Sequence, residues 1–519
     1  MKLRLFLLLV ALYMAFASRE QPWGDSHVVY ATTQNLVDNF RIDVSLPGPP
    51  QFYVEKEVSE QRVGKGGKKE VVKIKRRYGV FPLGNVVAMA PGYLAWKVLR
   101  NLPGIDGDLL YRYTSHLPPS LMIAGACVLF MTLARKQGAT ERVAFWLALA
   151  LGTTTVLVIY ARSPFSEALQ TLAFTWVVER GLSVAERPTV RGAFFGGVAC
   201  GLLFNSKLVY ALAIPVVPAY WIWRNRRDLP SLIAPLAAAA VPMALLAALA
   251  VGHNYYKTHT LFDTGYQIPG GVFSGNAYAA LFGFFLSPGK SIFLYSPPLL
   301  LGLLGLPTFL RLHKERGIFL LVLTGIVTLA NAKFRYWHAD YCWGPRLLVP
   351  LTPAWLLFAA PFIGGALERG QRKFRALAVG GLIGAGLYAQ VLGCAFYWDH
   401  YIRMAITVKD ETGAAGWYTE DLHQCHFIPQ FSPLIGHAWM LRHFILGDDD
   451  LLADAPWRRV IAGKVNLGNE WSATTLDLWQ YDWLKRSGSP KWGWTILALW
   501  TATGLFAAVG LRRRLRERT

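Results

Sequence analysis

The charged side chains that stand beside the apolar runs of this chain are of two complementary kinds. Carboxylates stand at Asp25, in Trp23-Gly24-Asp25-Ser26-His27, and at Glu167, in YARSPFSEALQ. Cations stand at Lys207, after Asn205-Ser206, at Lys290 in SPGKSIFLYSPP, and at Arg335 and Arg346 in KFRYWHADYCWGPRLLVP. His253, Tyr255, Tyr256 and Lys257 open another loop, and His338 and Asp340 belong to the densest motif. A carboxylate can take a proton from an attacking hydroxyl, and cations can hold charge that develops on a departing anion. Ionisable groups are costly in or beside an apolar slab, so those that persist there define a candidate site.

The elements that must position them are apolar runs of roughly 20 residues, about a dozen in all. Inside a bilayer each backbone N–H and C=O has to be satisfied within its own segment, so such runs are spanning helices. The first covers residues 4 to 18. The others lie near 115 to 134, 143 to 160, 166 to 179, 192 to 204, 207 to 223, 231 to 251, 290 to 310, 317 to 332, 346 to 363, 376 to 396 and 491 to 510. Composition agrees: 53% of residues are hydrophobic, 16% are charged, and 19 Trp and 22 Tyr can serve as interfacial anchors. That charge fraction excludes an ordinary soluble enzyme.

Basic residues crowd every second link. Arg135, Lys136 and Arg142, then Arg180, Arg187 and Arg191, then Arg224, Arg226 and Arg227, then Arg311, Lys314 and Arg316, then Arg369, Arg372, Lys373 and Arg375, and the tail from Arg512 all fall on one side. The positive-inside rule makes that side cytoplasmic, and it puts both ends of the chain there. The net charge of +21 therefore reads as orientation and headgroup contact, with no nucleic-acid partner. The candidate carboxylates and cations fall on the opposite, extracytoplasmic side.

At the start, MKLRLFLLLVALYMAFAS is read as a span; a cleavable signal peptide is the alternative, given its Ala15-Phe16-Ala17 ending. The outer stretch from 19 to 113 holds an amphipathic helix, SHVVYATTQNLVDNF. Val29, Leu36, Val37 and Phe40 form one face, and His27, Tyr30, Gln34 and Asp38 the other. Next comes a β-hairpin, FYVEKEVSEQRVGKGGKKEVVKIKRRYG, turning at Gly64-Lys65-Gly66-Gly67. The apolar run 81 to 99, with Pro82, Pro91 and Lys97, reads as a surface helix. Residues 397 to 490 form a Trp-rich outer segment without an assignable fold. Cys342 and Cys425 lie outside the spans, where an oxidising compartment would allow a disulfide. The lack of any N-x-Ser/Thr sequon favours a bacterial inner membrane.

Several of these segments together resemble the C-type glycosyltransferase superfamily, in the branch of the protein mannosyltransferases and lipid A aminoarabinose transferases. GDSHVVYATTQNLVDNF looks like that branch's acidic residue after the first span with its Tyr-containing surface helix. KRRYGVFPLG is similar to its basic residue beside a Pro-Leu, Glu167 to its acidic residue after the third span, and Lys207 in GGVACGLLFNSKL to its Lys after a Gly-rich span. The resemblance covers roughly residues 1 to 360. Ser26 stands where a second acidic residue is frequent, and Tyr-Gly-Val-Phe-Pro replaces the usual Lys-Pro-Pro.

The resemblance implies an all-α polytopic membrane protein with a transmembrane glycosyltransferase-like domain over 1–396, the outer segment 397–490, and a last helix with basic tail over 491–519. It implies transfer of a sugar from a polyprenyl-phosphate donor to a lipid, glycan or protein acceptor. The leaving lipid phosphate is already a weak base, so the site needs a carboxylate for the acceptor proton and cations for the phosphate. Asp25 is the expected base and Glu167 its acidic companion; Arg77, Lys207 and Arg346 are the expected phosphate ligands. His27, Tyr30, His253, Tyr256, Lys290, His338 and Asp340 are expected to line the substrate cavity, and a single base predicts inversion. No cofactor is fixed by the sequence; a divalent metal is the one candidate, and His338-Ala339-Asp340 offers it only two ligands.

Each residue has a plainer reading. Asp25 can cap the surface helix, Glu167 can cap its span or pair with Arg162, Arg346 can snorkel to the interface, and the basic hairpin can bind headgroups. The rival function is a transporter or flippase. Such proteins carry inverted repeats and charges near the bilayer midplane, whereas here the charges collect at one face and no repeat is visible.

Overall fold

The structure, a computed structural model, describes residues 1–20, 24–44, 52–63, 69–266, 268, 271–339, 341–366, 372–407, 423–447, 455–459, 476–485 and 490–516. Each expected span falls on helix. Among the described residues six helices are long and apolar enough to cross a membrane: Gly107–Lys136, Pro230–Thr258, Lys314–Lys333, Arg346–Ile363, Ala376–Ala395 and Pro490–Leu515. The rest are shorter or broken. The third expected span divides into Glu141–Thr154 and Leu157–Ala161, and the eighth into Ile292–Tyr295 and Leu299–Leu312, where the Ser296-Pro297-Pro298 break interrupts the ladder.

The opening helix Lys2–Ala15 lies in the core, with Leu5, Leu9 and Tyr13 fully buried and the Tyr13 hydroxyl donating to the Gly152 carbonyl at 2.9 Å. It also packs against the closing helix Pro490–Arg516, and Arg4 donates to the Gly510 carbonyl. Tyr13 ties this helix to Gly152 and lies beside Cys127. Side chains exposed along the outer helices, such as Leu245 and Leu249 or Leu505 and Phe506, are apolar, as a lipid-facing surface requires.

At one end of the bundle the basic links are laced together by ion pairs: Lys136 with Glu179, Arg224 with Glu315, and Arg316 with Glu186. The other end carries the soluble elements. Helix Asp25–Asn39 packs on helix Leu83–Leu99, with Thr33 donating to Val86 at 2.8 Å and Lys97 to Asp38 at 2.8 Å. The strands Tyr53–Val63 and Lys69–Gly79 pair antiparallel, Tyr53 opposite Gly79 and Val63 opposite Lys69. The expected turn at 64 to 67 lies outside the described residues.

The amphipathic reading of helix Asp25–Asn39 needs correction. Tyr30 is buried edge-on to Tyr111 at 5.0 Å and Tyr93 at 6.3 Å, whereas Phe40 is 91% exposed. Helix Leu83–Leu99 covers the supposedly polar face, so the single-face pattern expected of an isolated surface helix does not hold. The five cysteines are all free, so the disulfide between Cys342 and Cys425 is absent. Both are buried, beside the Lys290 ammonium.

Candidate active site

Gly24 starts the construction. It sits at φ +91°, a conformation open to glycine, and a Cβ there would meet the Phe52 ring at 3.3 Å. The chain turns so that Gly24 caps helix Asp25–Asn39, and Asp25 is its first helical residue. The carboxylate makes no side-chain cap; one oxygen accepts from the Ser26 N–H at 2.9 Å. The other accepts from the Arg346 guanidinium. Asp25 therefore faces a partner 321 residues away, and the helix N-terminus favours its negative charge.

Glu167 likewise begins a helix, Glu167–Glu186, after the break Ser163-Pro164-Phe165-Ser166. It pairs with Arg346 at 2.8 Å and not with Arg162. Arg346 begins the turn Arg346–Leu351 that opens the next spanning segment. Its guanidinium lies 4.1 Å from the centre of the Phe165 ring, stacked as a cation on a π face. One arginine thus spans two carboxylates, with side chains 13% exposed for Arg346, 21% for Asp25 and 2% for Glu167.

Lys207 completes the set. It ends helix Val190–Ser206 in extended conformation, and its ammonium lies 5.7 Å from the Phe334 ring centre. Among the described residues it forms no ion pair, yet Glu167, Arg346 and Asp25 all act on it electrostatically. Two carboxylates and two cations therefore stand together, and one cation has no carboxylate of its own.

The loop that delivers Arg346 is fixed from below. The buried Lys290 ammonium donates to the carbonyls of Cys342 at 3.2 Å and Gly344 at 3.3 Å. Gly344 has φ +66°, and a Cβ there would lie 2.9 Å from the Tyr295 ring. Lys290, expected to line the substrate cavity, therefore holds the backbone of the loop.

The remaining expected residues are placed elsewhere. Arg77 stays on the hairpin, bonded to Glu55 at 3.0 Å and over the Tyr53 ring at 5.0 Å; among the described residues no contact joins it to Asp25, Glu167, Lys207 or Arg346. A basic residue on a flat exposed strand finds its cross-strand acid first. Tyr256 holds the hairpin, 3.2 Å from the Tyr78 hydroxyl, and its neighbour Lys257 donates to the Gly79 carbonyl at 3.1 Å. His253 is buried and borders the same small gap as Gly79 and Phe81. His27 is partly buried next to Asp25. Tyr30 belongs to the aromatic cluster described above. His338 is buried and packs on His426 at 4.8 Å between ring centres. Asp340 lies outside the described residues, and among those described no group of three or more His, Cys, Asp or Glu could hold a metal.

An apolar groove of about 550 Å³ lined by Leu300, Leu303, Leu304, Ala378, Gly381 and Leu382 contains none of these side chains. Charge and not volume marks the site. Two features escaped the sequence reading. One is Phe165 as the platform for Arg346. The other is a buried pair between Arg162 and Asp477, at 3.5 Å; an arginine inside the run YARSPFSE was the signal for it, but its partner sits in the unpatterned outer segment.

No protein-family model matches the chain, and no curated protein matches it. Solved structures are similar to it, among them these two. One is ArnT from Cupriavidus metallidurans bound to undecaprenyl phosphate, with TM-score 0.49, 14% identity, and coverage of 86% of this chain and 70% of that one. The other is the same protein in the apo state, with TM-score 0.48, 13% identity and the same coverage.

Proposed function

We propose that the chain is an integral-membrane glycosyltransferase that moves a sugar from a polyprenyl-phosphate donor to an acceptor hydroxyl at the extracytoplasmic face. The observation that carries this reading is Arg346 held between Asp25 and Glu167, with Lys207, which forms no ion pair among the described residues, beside it. A phosphate is the anion such a cation set suits, and the carboxylate next to it is placed for the acceptor proton.

The acceptor oxygen attacks the anomeric carbon from the side opposite the phosphate. The bond from that carbon to the phosphate oxygen breaks, its electron pair leaves on the lipid phosphate, and Asp25 takes the acceptor proton. Attack from the opposite side inverts the anomeric centre. Lys207 and Arg346 hold the phosphate charge as it grows. The donor phosphate draws on the Arg346 guanidinium, which loosens its hold on Asp25 and frees that carboxylate to act as a base. Glu167 keeps its bond to Arg346 throughout and fixes where the arginine stands.

The concentration of these charges at one end of the bundle, opposite the basic links, favours surface chemistry over transport. The test is a strain lacking the chain, whose surface glycolipids and glycoproteins are analysed by mass spectrometry. A single missing sugar, restored by the intact chain and not by Asp25→Asn, supports the reading. An unchanged surface would overturn it.

A further inference from the structure

The two loops that bring Asp25 and Glu167 together belong to distant parts of the chain. Both are tied to Asp477, in the outer segment near the chain's far end. The Asp477 carboxylate accepts from the Ser18 hydroxyl at 2.7 and 2.9 Å, from the Arg19 N–H at 3.0 Å and from the Glu20 N–H at 3.4 Å. These residues precede Gly24 and Asp25 by a few positions in the sequence. The same carboxylate lies 3.5 Å from the Arg162 guanidinium, which also donates to the Asp477 and Cys394 carbonyls. Arg162 precedes Phe165 and Glu167 in one short break. Next to Asp477, the Trp479 N–H donates to Ala17 at 3.2 Å and its indole to Ala15 at 3.1 Å.

We infer that Asp477 is a positioning residue: it knots the loop before Asp25 to the loop before Glu167 and so sets the gap that Arg346 bridges. The inference rests on the proposed reading of Asp25 and Glu167 as the site. It gives the outer C-terminal segment a function in assembling chemistry that its sequence does not announce. Asp477 and Arg162 are both buried, and a buried ion pair is seldom kept for stability, since well-packed apolar replacements are often as stable. What an apolar pair cannot supply is an acceptor for Ser18, Arg19 and Glu20.

Two double variants of the full chain test this. Arg162→Gln with Asp477→Asn removes both charges and keeps donors and acceptors. Arg162→Met with Asp477→Leu removes both and keeps bulk. Amide hydrogen exchange is read on segment 18–28, with the distant helix 117–136 as the internal control. Sugar restored to the surface of the deletion strain is read per copy in the membrane.

The Gln/Asn pair is expected to keep exchange protection over 18–28 and sugar transfer within about threefold of wild type. The Met/Leu pair is expected to fold, to keep protection over 117–136, to lose it over 18–28, and to transfer sugar at least about tenfold less. Equal protection of 18–28 in the two variants would overturn the inference, as would loss of protection over 117–136 alone. If the wild-type chain restores no sugar, the functional reading fails while the exchange result still decides the role of Asp477.

Discussion

Arg346 donates to Asp25 and, through a second nitrogen, to Glu167. One guanidinium therefore joins a surface helix, a spanning helix and the mouth of a third segment, and the catalytic proposal turns on that junction.

Asp25→Asn keeps an oxygen for the Ser26 N–H and removes the charge. Transfer is expected to fall by about 10²- to 10⁴-fold, the usual contribution of a general base, while thermal unfolding changes little. Sugar recovered in the deletion strain and a melt of the purified chain check both halves.

Arg346→Lys retains a cation that cannot fork between two carboxylates. Loss of one charged hydrogen bond, about 1.5–3 kcal/mol, is expected to lower transfer by roughly 10- to 100-fold. Arg346→Met leaves Asp25 and Glu167 without the guanidinium they share, and denaturant unfolding is expected to show a loss of about 3–5 kcal/mol.

Lys207→Met removes one cation from the proposed phosphate site. Affinity for farnesyl phosphate, read by tryptophan fluorescence of the full chain in nanodiscs, is expected to fall about tenfold or more, the usual weight of one charged hydrogen bond. Unchanged affinity would remove Lys207 from the phosphate site.

Gly344→Ala places a Cβ in the left-handed region and against the Tyr295 ring. A destabilisation of about 1–3 kcal/mol is expected, together with reduced transfer because the next-but-one residue is Arg346. Unfolding midpoints and the sugar assay measure the two effects separately.

Arg77→Ala breaks an exposed pair with Glu55. Such pairs contribute about 0–1 kcal/mol, so stability and transfer are both expected to stay near wild type. A large loss of transfer would return Arg77 to the site as a phosphate ligand.

The spans were readable because a bilayer leaves a segment of their length and apolarity no other structure, and the basic links marked one end for the same reason. Asp25, Glu167, Lys207 and Arg346 were readable because charge beside apolar sequence is costly and rarely accidental. Their pairing was not readable, since 179 residues separate Glu167 from Arg346 and spacing along the chain says nothing across such a gap. Tyr30 was misplaced because helix Asp25–Asn39 is covered on more than one side. Asp477 was invisible because its stretch has neither helical nor strand periodicity to give it a direction.

The packing of helix Lys2–Ala15 against helix Pro490–Arg516 bears on how the molecule is made. A ribosome delivers the first helix to the membrane long before the last, so the groove that seats it stays half-built through nearly all of translation. Asp25 follows soon after that helix, and Asp477 emerges only just ahead of the final span. A nascent or prematurely ended chain therefore holds Asp25 without Asp477, and the tie between the first outer loop and the last outer segment forms among the last events of biogenesis.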